Sequence, residues 1–201
     1  MSKQVKLSEI EFRHVAGGYN LDALYCPYYC EENVWQMHAM LRDRCTESAA
    51  CFVSSGQKRV AMWRQSAAAA MGIPVVWDYH VFFCCRIGAG AWQVLDFESL
   101  LPHPVDAATY LADTFPASSR TPAGSSPRFR LVPGAIYREK LRTDRSHMRQ
   151  SDGAYRRPPP SWAAIGQDKG AGSNLDDFVD MDHDFVGEVY DLDALRGRLI
   201  G

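Results

Sequence analysis

The sequence has no apolar run approaching the ~20 residues that a membrane-spanning helix needs, so a transmembrane protein is not expected. Its first residues, MSKQVKLSEIEFRHVAGG, lack a continuous apolar stretch and a small-residue cleavage site and do not read as an export signal. The expected location is the cytoplasm, or the nucleus. A basic excess is also missing, with 22 Lys and Arg against 24 Asp and Glu, which argues against non-specific nucleic-acid binding. Paired C-x-x-C knuckles and an H-x3-H spacing are absent, so no metal is expected, and a zinc set of Cys26, Cys30, Cys84 and His80 has the wrong spacing. The pair Ser146-His147 lies in no G-x-S-x-G elbow, which removes the serine-hydrolase reading and leaves DRSHM as a loop-shaping segment. No internal repeat is visible.

What is present is a 201-residue chain, 46% hydrophobic and 23% charged, long enough for one domain with a real core. Two segments rich in Pro, Gly and Ser, 116–127 and 156–174, read as long loops, and the basic cluster REKLRTDRSHMRQ as a solvated surface. Six cysteines without an export signal read as reduced thiols, of which Cys45, Cys51, Cys84 and Cys85 sit among apolar neighbours as small buried hydrophobes. The spacing of Val34, His38 and Leu41 predicts a helix from about Cys30 to Arg42, with Glu31 and Glu32 at the positive end of its dipole. ACFVS and RVAMW predict a hairpin turning at Ser55-Gly56, and VVWDYHVFFCCRI with AWQVLDF a second one turning at Gly88 to Gly90. FRLVPG and GEVY read as further strands, LDDFVDM as a helix capped by Asn174, and DALRGRL as a helix capped near Asp191. This order of elements predicts an α+β protein.

The second hairpin brings chemistry together. A three-residue loop sets Ile87 opposite Ala91 and His80 opposite Glu98, which leaves Asp96 diagonal to His80 and within reach of its ring. Strand alternation puts Asp78 on the same face as His80. A thiol at a helix start, an imidazole and a carboxylate are what nucleophilic thiol chemistry uses: the helix end and an imidazolium favour thiolate, and the carboxylate orients the ring. Cys30 fits the nucleophile better than Cys26, which precedes Pro27 in a loop. Taken singly each of these residues also has an ordinary structural reading, and it is their combination that points to catalysis.

The blocks YCEENVW, VVWDYHV, LDFESLLP, DRSHM, RRPPP, NLDDFVDMD and GEVY, in this order from Tyr25 to Tyr190, resemble the protein N-terminal glutamine amidohydrolase family. The resemblance implies a single catalytic domain over 1–201, with residues 1–24 a variable segment, folded as an α-β-α sandwich of the papain-like or transglutaminase-like kind. It implies Cys30, His80 and Asp96 as the catalytic residues, with Glu98 where the family pattern carries a second aspartate. The implied reaction turns the side chain of an N-terminal glutamine on a protein or peptide into glutamate, releases ammonia through a Cys thioester, and feeds the Arg/N-degron pathway. Thiolate and imidazole suffice for this acyl transfer, so no cofactor is expected, and nothing in the sequence calls for an obligate partner, so a monomer is expected. Asp78, and after it Glu31, are candidates to accept the substrate's α-ammonium. The competing readings are a peptidase or transglutaminase-like acyl transferase on the same three residues, and a binder of chain termini that turns nothing over.

Overall fold

The computed structural model describes residues 21–116 and 126–201. The expected loop over 116–127 and the variable segment over 1–24 therefore lie largely outside the described residues.

An antiparallel six-stranded sheet carries the molecule, in the order β6-β5-β4-β1-β7-β8. Its strands are β1 (Glu47–Ser54), β4 (His80–Arg86), β5 (Gln93–Leu95), β6 (Val105–Asp106), β7 (Arg128–Pro133) and β8 (Glu188–Tyr190). A second sheet of two strands is formed by β2 (Val60–Met62) and β3 (Val75–Trp77). Because neighbouring side chains on a strand face opposite ways, each strand of the main sheet feeds two cores. Phe52, Val81 and Phe83 pack on one face against Val34, Met37 and Leu41 of α1 (Cys30–Leu41), Tyr137 of α3 (Gly134–Lys140) and Phe178 of α4 (Leu175–Val179). On the other face Cys51, Phe82 and Cys84 pack against Tyr110 and Leu111 of α2 (Ala107–Thr114) and Leu195 and Leu199 of α5 (Leu192–Ile200). The result is the expected α-β-α sandwich of an α+β protein.

The expected first hairpin does not form. Both edges of β1 are taken, by β4 and by β7, so β2 has no free edge of that strand to pair with and joins β3 instead. The long strand expected over VVWDYHVFFCCRI is also broken, between Trp77 and His80. There the Asp78 carboxylate accepts from the Tyr79 amide at 2.9 Å, and the Asp78 carbonyl accepts from the Ser54 hydroxyl at 2.6 Å. These bonds divert the backbone from one sheet to the other, so strand alternation does not relate Asp78 to His80. The second hairpin keeps the expected register, with Phe83 opposite Leu95, Cys84 opposite Val94 and Cys85 opposite Gln93.

Helix ends follow local chemistry. Asp191 accepts from the Ala194 amide at 2.8 Å and caps α5 as expected. Asn174 precedes α4 but makes no cap bond; its side chain instead accepts from the Arg142 amide and donates to the Lys140 carbonyl, both at 2.8 Å. The basic cluster is no solvated surface throughout, since Leu141, Thr143 and Arg145 are buried. Arg130, almost wholly buried, donates to five backbone carbonyls, those of Phe178, Asp180, His183, Phe185 and Val186, and so ties the segment after α4 to β7.

Candidate active site

Cys30 is the first residue of α1, and a tight turn delivers the chain to it. The Cys26 carbonyl accepts from the Tyr29 amide at 3.3 Å, with Pro27 and Tyr28 between them and Tyr28 at a left-handed φ of 71°. Asn33 fastens that turn to the helix: its carboxamide accepts from the Cys26 amide at 3.0 Å and donates to the Cys26 carbonyl at 2.9 Å. Cys26 turns its own thiol to the Pro158 carbonyl at 3.8 Å. The turn thus gives the two thiols different surroundings, Cys30 at the helix start and Cys26 beside Pro158.

His80 opens β4 and is buried, as is Asp96 just beyond β5. The His80 Nε2 lies 2.8 Å from Asp96 Oδ1, which leaves Nδ1 as the ring nitrogen for other work. Asp96 is itself heavily anchored, accepting from the Glu98 amide at 3.0 Å and from the Tyr110 hydroxyl at 2.8 Å, with Gln65 at 3.5 Å. Trp77 stacks on the imidazole at 5.8 Å between ring centroids. Burial alone would raise the Asp96 carboxyl, but His80 and the bonds from Tyr110 and Glu98 hold it below its ordinary value. Burial likewise opposes a charged His80, and the Asp96 carboxylate outweighs it, so the imidazole sits above its ordinary value.

Cys30, His80 and Asp96 line one narrow recess, and Cys30 and His80 also face a cavity of about 580 Å³ that opens beside it. The backbone amides of Val81 and Glu31 favour the charged form of the Cys30 sulfur. Even so, burial first and the Glu31 carboxylate second push the thiol well above its ordinary value. The expected resting thiolate is therefore a neutral thiol here, because a buried anion beside a carboxylate costs more than two amides return. A larger cleft of about 860 Å³ lies between the far end of α1 and the start of α3, and it contains none of these three residues.

The two glutamates after Cys30 part company. Glu32 points away into a buried pair with Arg145, whose guanidinium donates to both carboxylate oxygens at 2.9 and 2.8 Å, with Thr143 and Trp162 donating at 2.8 and 2.7 Å. Glu31 stays beside Cys30: its Oε2 is 3.7 Å from the Cys30 sulfur and accepts from the Tyr79 hydroxyl at 3.1 Å. Asp78 is exposed and lines the cavity, as does His147 of the DRSHM segment. Tyr110, Trp77, Tyr79, Arg145 and His147 are parts of the site that sequence reasoning missed. Trp77, Tyr79, Arg145 and His147 lie in blocks that carry the resemblance but are given no role there, and Tyr110 lies in the helix that Asp106 caps by accepting from the Ala108 amide at 2.9 Å.

A thiol at a helix start, facing one cavity with an imidazole that a buried carboxylate orients, defines the class of thiol-dependent acyl-transfer sites. Within that class, residues 25–199 match the sequence profile of the family described as N-terminal glutamine amidase. The chain is 33% identical over 174 residues to the protein N-terminal glutamine amidohydrolase of Danio rerio, covering 84% of this chain and 85% of that one. The Homo sapiens protein of the same name is 33% identical over 182 residues, with 87% of each chain covered. The protein therefore belongs to the N-terminal glutamine amidase family. A solved structure, protein-glutaminase from Chryseobacterium proteolyticum, overlaps 77% of this chain at 14% identity with a TM-score of 0.37, too loose a fit to bear on the site.

Proposed function

We propose that this protein hydrolyses the side-chain amide of a glutamine at the N-terminus of a protein or peptide, giving glutamate and ammonia. The observation that carries this reading is the recess that joins Cys30, His80 and Asp96 in a member of this family. In the proposed course the Cys30 proton passes to His80 as the substrate docks, and the sulfur attacks the amide carbon. The backbone amides of Glu31 and Val81, which favour negative charge at the sulfur, are the proposed donors to the oxyanion. Protonated His80 gives its proton to departing ammonia and a thioester remains. His80, held by Asp96, then draws a proton from water, whose oxygen opens the thioester.

Selection of a chain terminus requires an acceptor for the α-ammonium. Asp78, exposed at the cavity wall, is the proposed acceptor, while Glu31 acts deeper beside the sulfur. The proposed setting is a monomeric enzyme of the cytoplasm or nucleus that needs no metal or organic cofactor and supplies the Arg/N-degron pathway. A peptidase would cut the backbone, a transglutaminase-like enzyme would accept internal glutamine with an amine, and a terminus binder would release nothing. Mass spectrometry of three peptides, with Gln first, Gln second and Asn first, separates these. A gain of about 1 Da on the first peptide alone is expected; turnover of the second peptide, or of none, overturns the reading.

A further inference from the structure

Glu31 is a carboxylate at the sulfur that the fold, among the described residues, leaves half used. It is completely buried, and while Oε2 has Tyr79 and Cys30, Oε1 has no hydrogen-bond partner among the described residues. Facing Oε1 at 3.7 Å is Nε2 of His147, and neither ring nitrogen of His147 has a hydrogen-bond partner there either. The backbone is meanwhile fixed, since the Tyr137 hydroxyl donates to the Glu31 carbonyl at 2.6 Å. The next carboxylate on the helix, Glu32, is engaged by Arg145. Buried polar atoms are normally paired, so a rigidly held carboxylate oxygen with no donor, next to a nucleophile, marks where a donor from a ligand belongs.

The donor can be assigned by reach. Glu31 lies so close to the sulfur that a substrate in position for attack puts its reacting amide there, with the α-ammonium four bonds further along the chain. We propose that Glu31 Oε1 accepts an N–H of the glutamine carboxamide, with His147 closing the other side, so that this pair distinguishes carboxamide from carboxylate and expels the product. The role rests on the deamidase reading and deepens it. A carboxamide nitrogen brings two N–H donors, whereas the product brings a carboxylate with none, and like charges then face each other across the site.

The test separates binding from turnover. At pH 8, Glu31, raised by burial to about 7, carries its charge. A Cys30→Ala protein is expected to bind a Gln-starting peptide at least about tenfold more tightly than the matching Glu-starting peptide by calorimetry, since a site that hydrogen-bonds one group rejects the analogue lacking it. Adding Glu31→Gln is expected to shrink that ratio below about threefold, chiefly by tightening the Glu-starting peptide. His147→Asn, at the partly exposed partner, is expected to narrow the ratio as well and guards against a folding defect at buried Glu31. An unchanged ratio in both variants, or an equal loss of affinity for both peptides, as an α-ammonium acceptor would give, overturns the proposal. Binding of neither peptide by Cys30→Ala overturns it too. Failure of the wild type to release ammonia from the Gln-starting peptide is the separate outcome that removes the deamidase reading.

Discussion

At Cys30, two amides draw the sulfur toward the anion and burial with Glu31 holds it as a thiol. Removing the carboxylate's charge should therefore make the resting Cys30 thiol more reactive. Glu31→Gln is expected to speed iodoacetamide alkylation of Cys30 near pH 7 by about three- to fourfold for each pKa unit the thiol falls, since a larger thiolate fraction outweighs a less nucleophilic sulfur, read peptide by peptide with mass spectrometry. Slower or equal alkylation would show that Glu31 does not govern the sulfur. The pair His80 and Asp96 sets a pH window for stability. Asp96 is depressed in the folded protein, so its contribution is present above its unfolded value of about 3.9 and is lost as pH falls through the folded value. His80 is raised, so its contribution is complete below its unfolded value of about 6.5 and is lost as pH climbs through the folded one. The destabilisation caused by Asp96→Asn in urea should thus be largest between about pH 4 and 6.5 and shrink on both sides. The same variant should lower turnover by up to about 10⁴-fold, the weight of a carboxylate that fixes the tautomer and orientation of an acid-base imidazole.

At the scale of elements, the Glu32–Arg145 pair pins a distant loop to the first turn of α1. Its partners, Thr143, Arg145 and Trp162, all lie more than a hundred residues along the chain. Arg145→Met leaves a buried carboxylate without its countercharge and is expected to cost about 3–5 kcal/mol in chemical denaturation. A cost under about 1 kcal/mol, the range of exposed pairs, would mean that water reaches Glu32. This pair also shows what could be read from the sequence. The register that brings Asp96 to His80 was legible, because a loop of known length between two apolar strands leaves one pairing, and Cys30 was legible from its place at a helix start. Arg145 was not, since nothing near it says that a carboxylate on another helix will cover it, and a basic cluster reads as solvated. The false first hairpin has the same origin: β2 is displaced by β7, whose claim on β1 comes from a segment far downstream. The break at Asp78 was hidden because Trp77 and His80 both suit a strand.

Seen as a whole, the molecule places its chemistry where the chain crosses between two sheets. Trp77 ends the small sheet, His80 begins a strand of the large one, and both line the cavity with Cys30 of α1. A two-stranded sheet is marginal by itself, so β2 and β3 are expected to open more readily than the strands they adjoin. Whatever occupies the cavity then acts as a strut between the sheets. Hydrogen exchange on Cys30→Ala should accordingly slow across Val75–Trp77 when a Gln-starting peptide is added, while the centre of β1 stays as protected as before. Exchange that slows only in α1 would place the load elsewhere. The break at Asp78, an interruption of a strand, thus makes the small sheet a gauge of occupancy: how tightly those three residues hold their amide protons reports whether the Cys30 thiol has company.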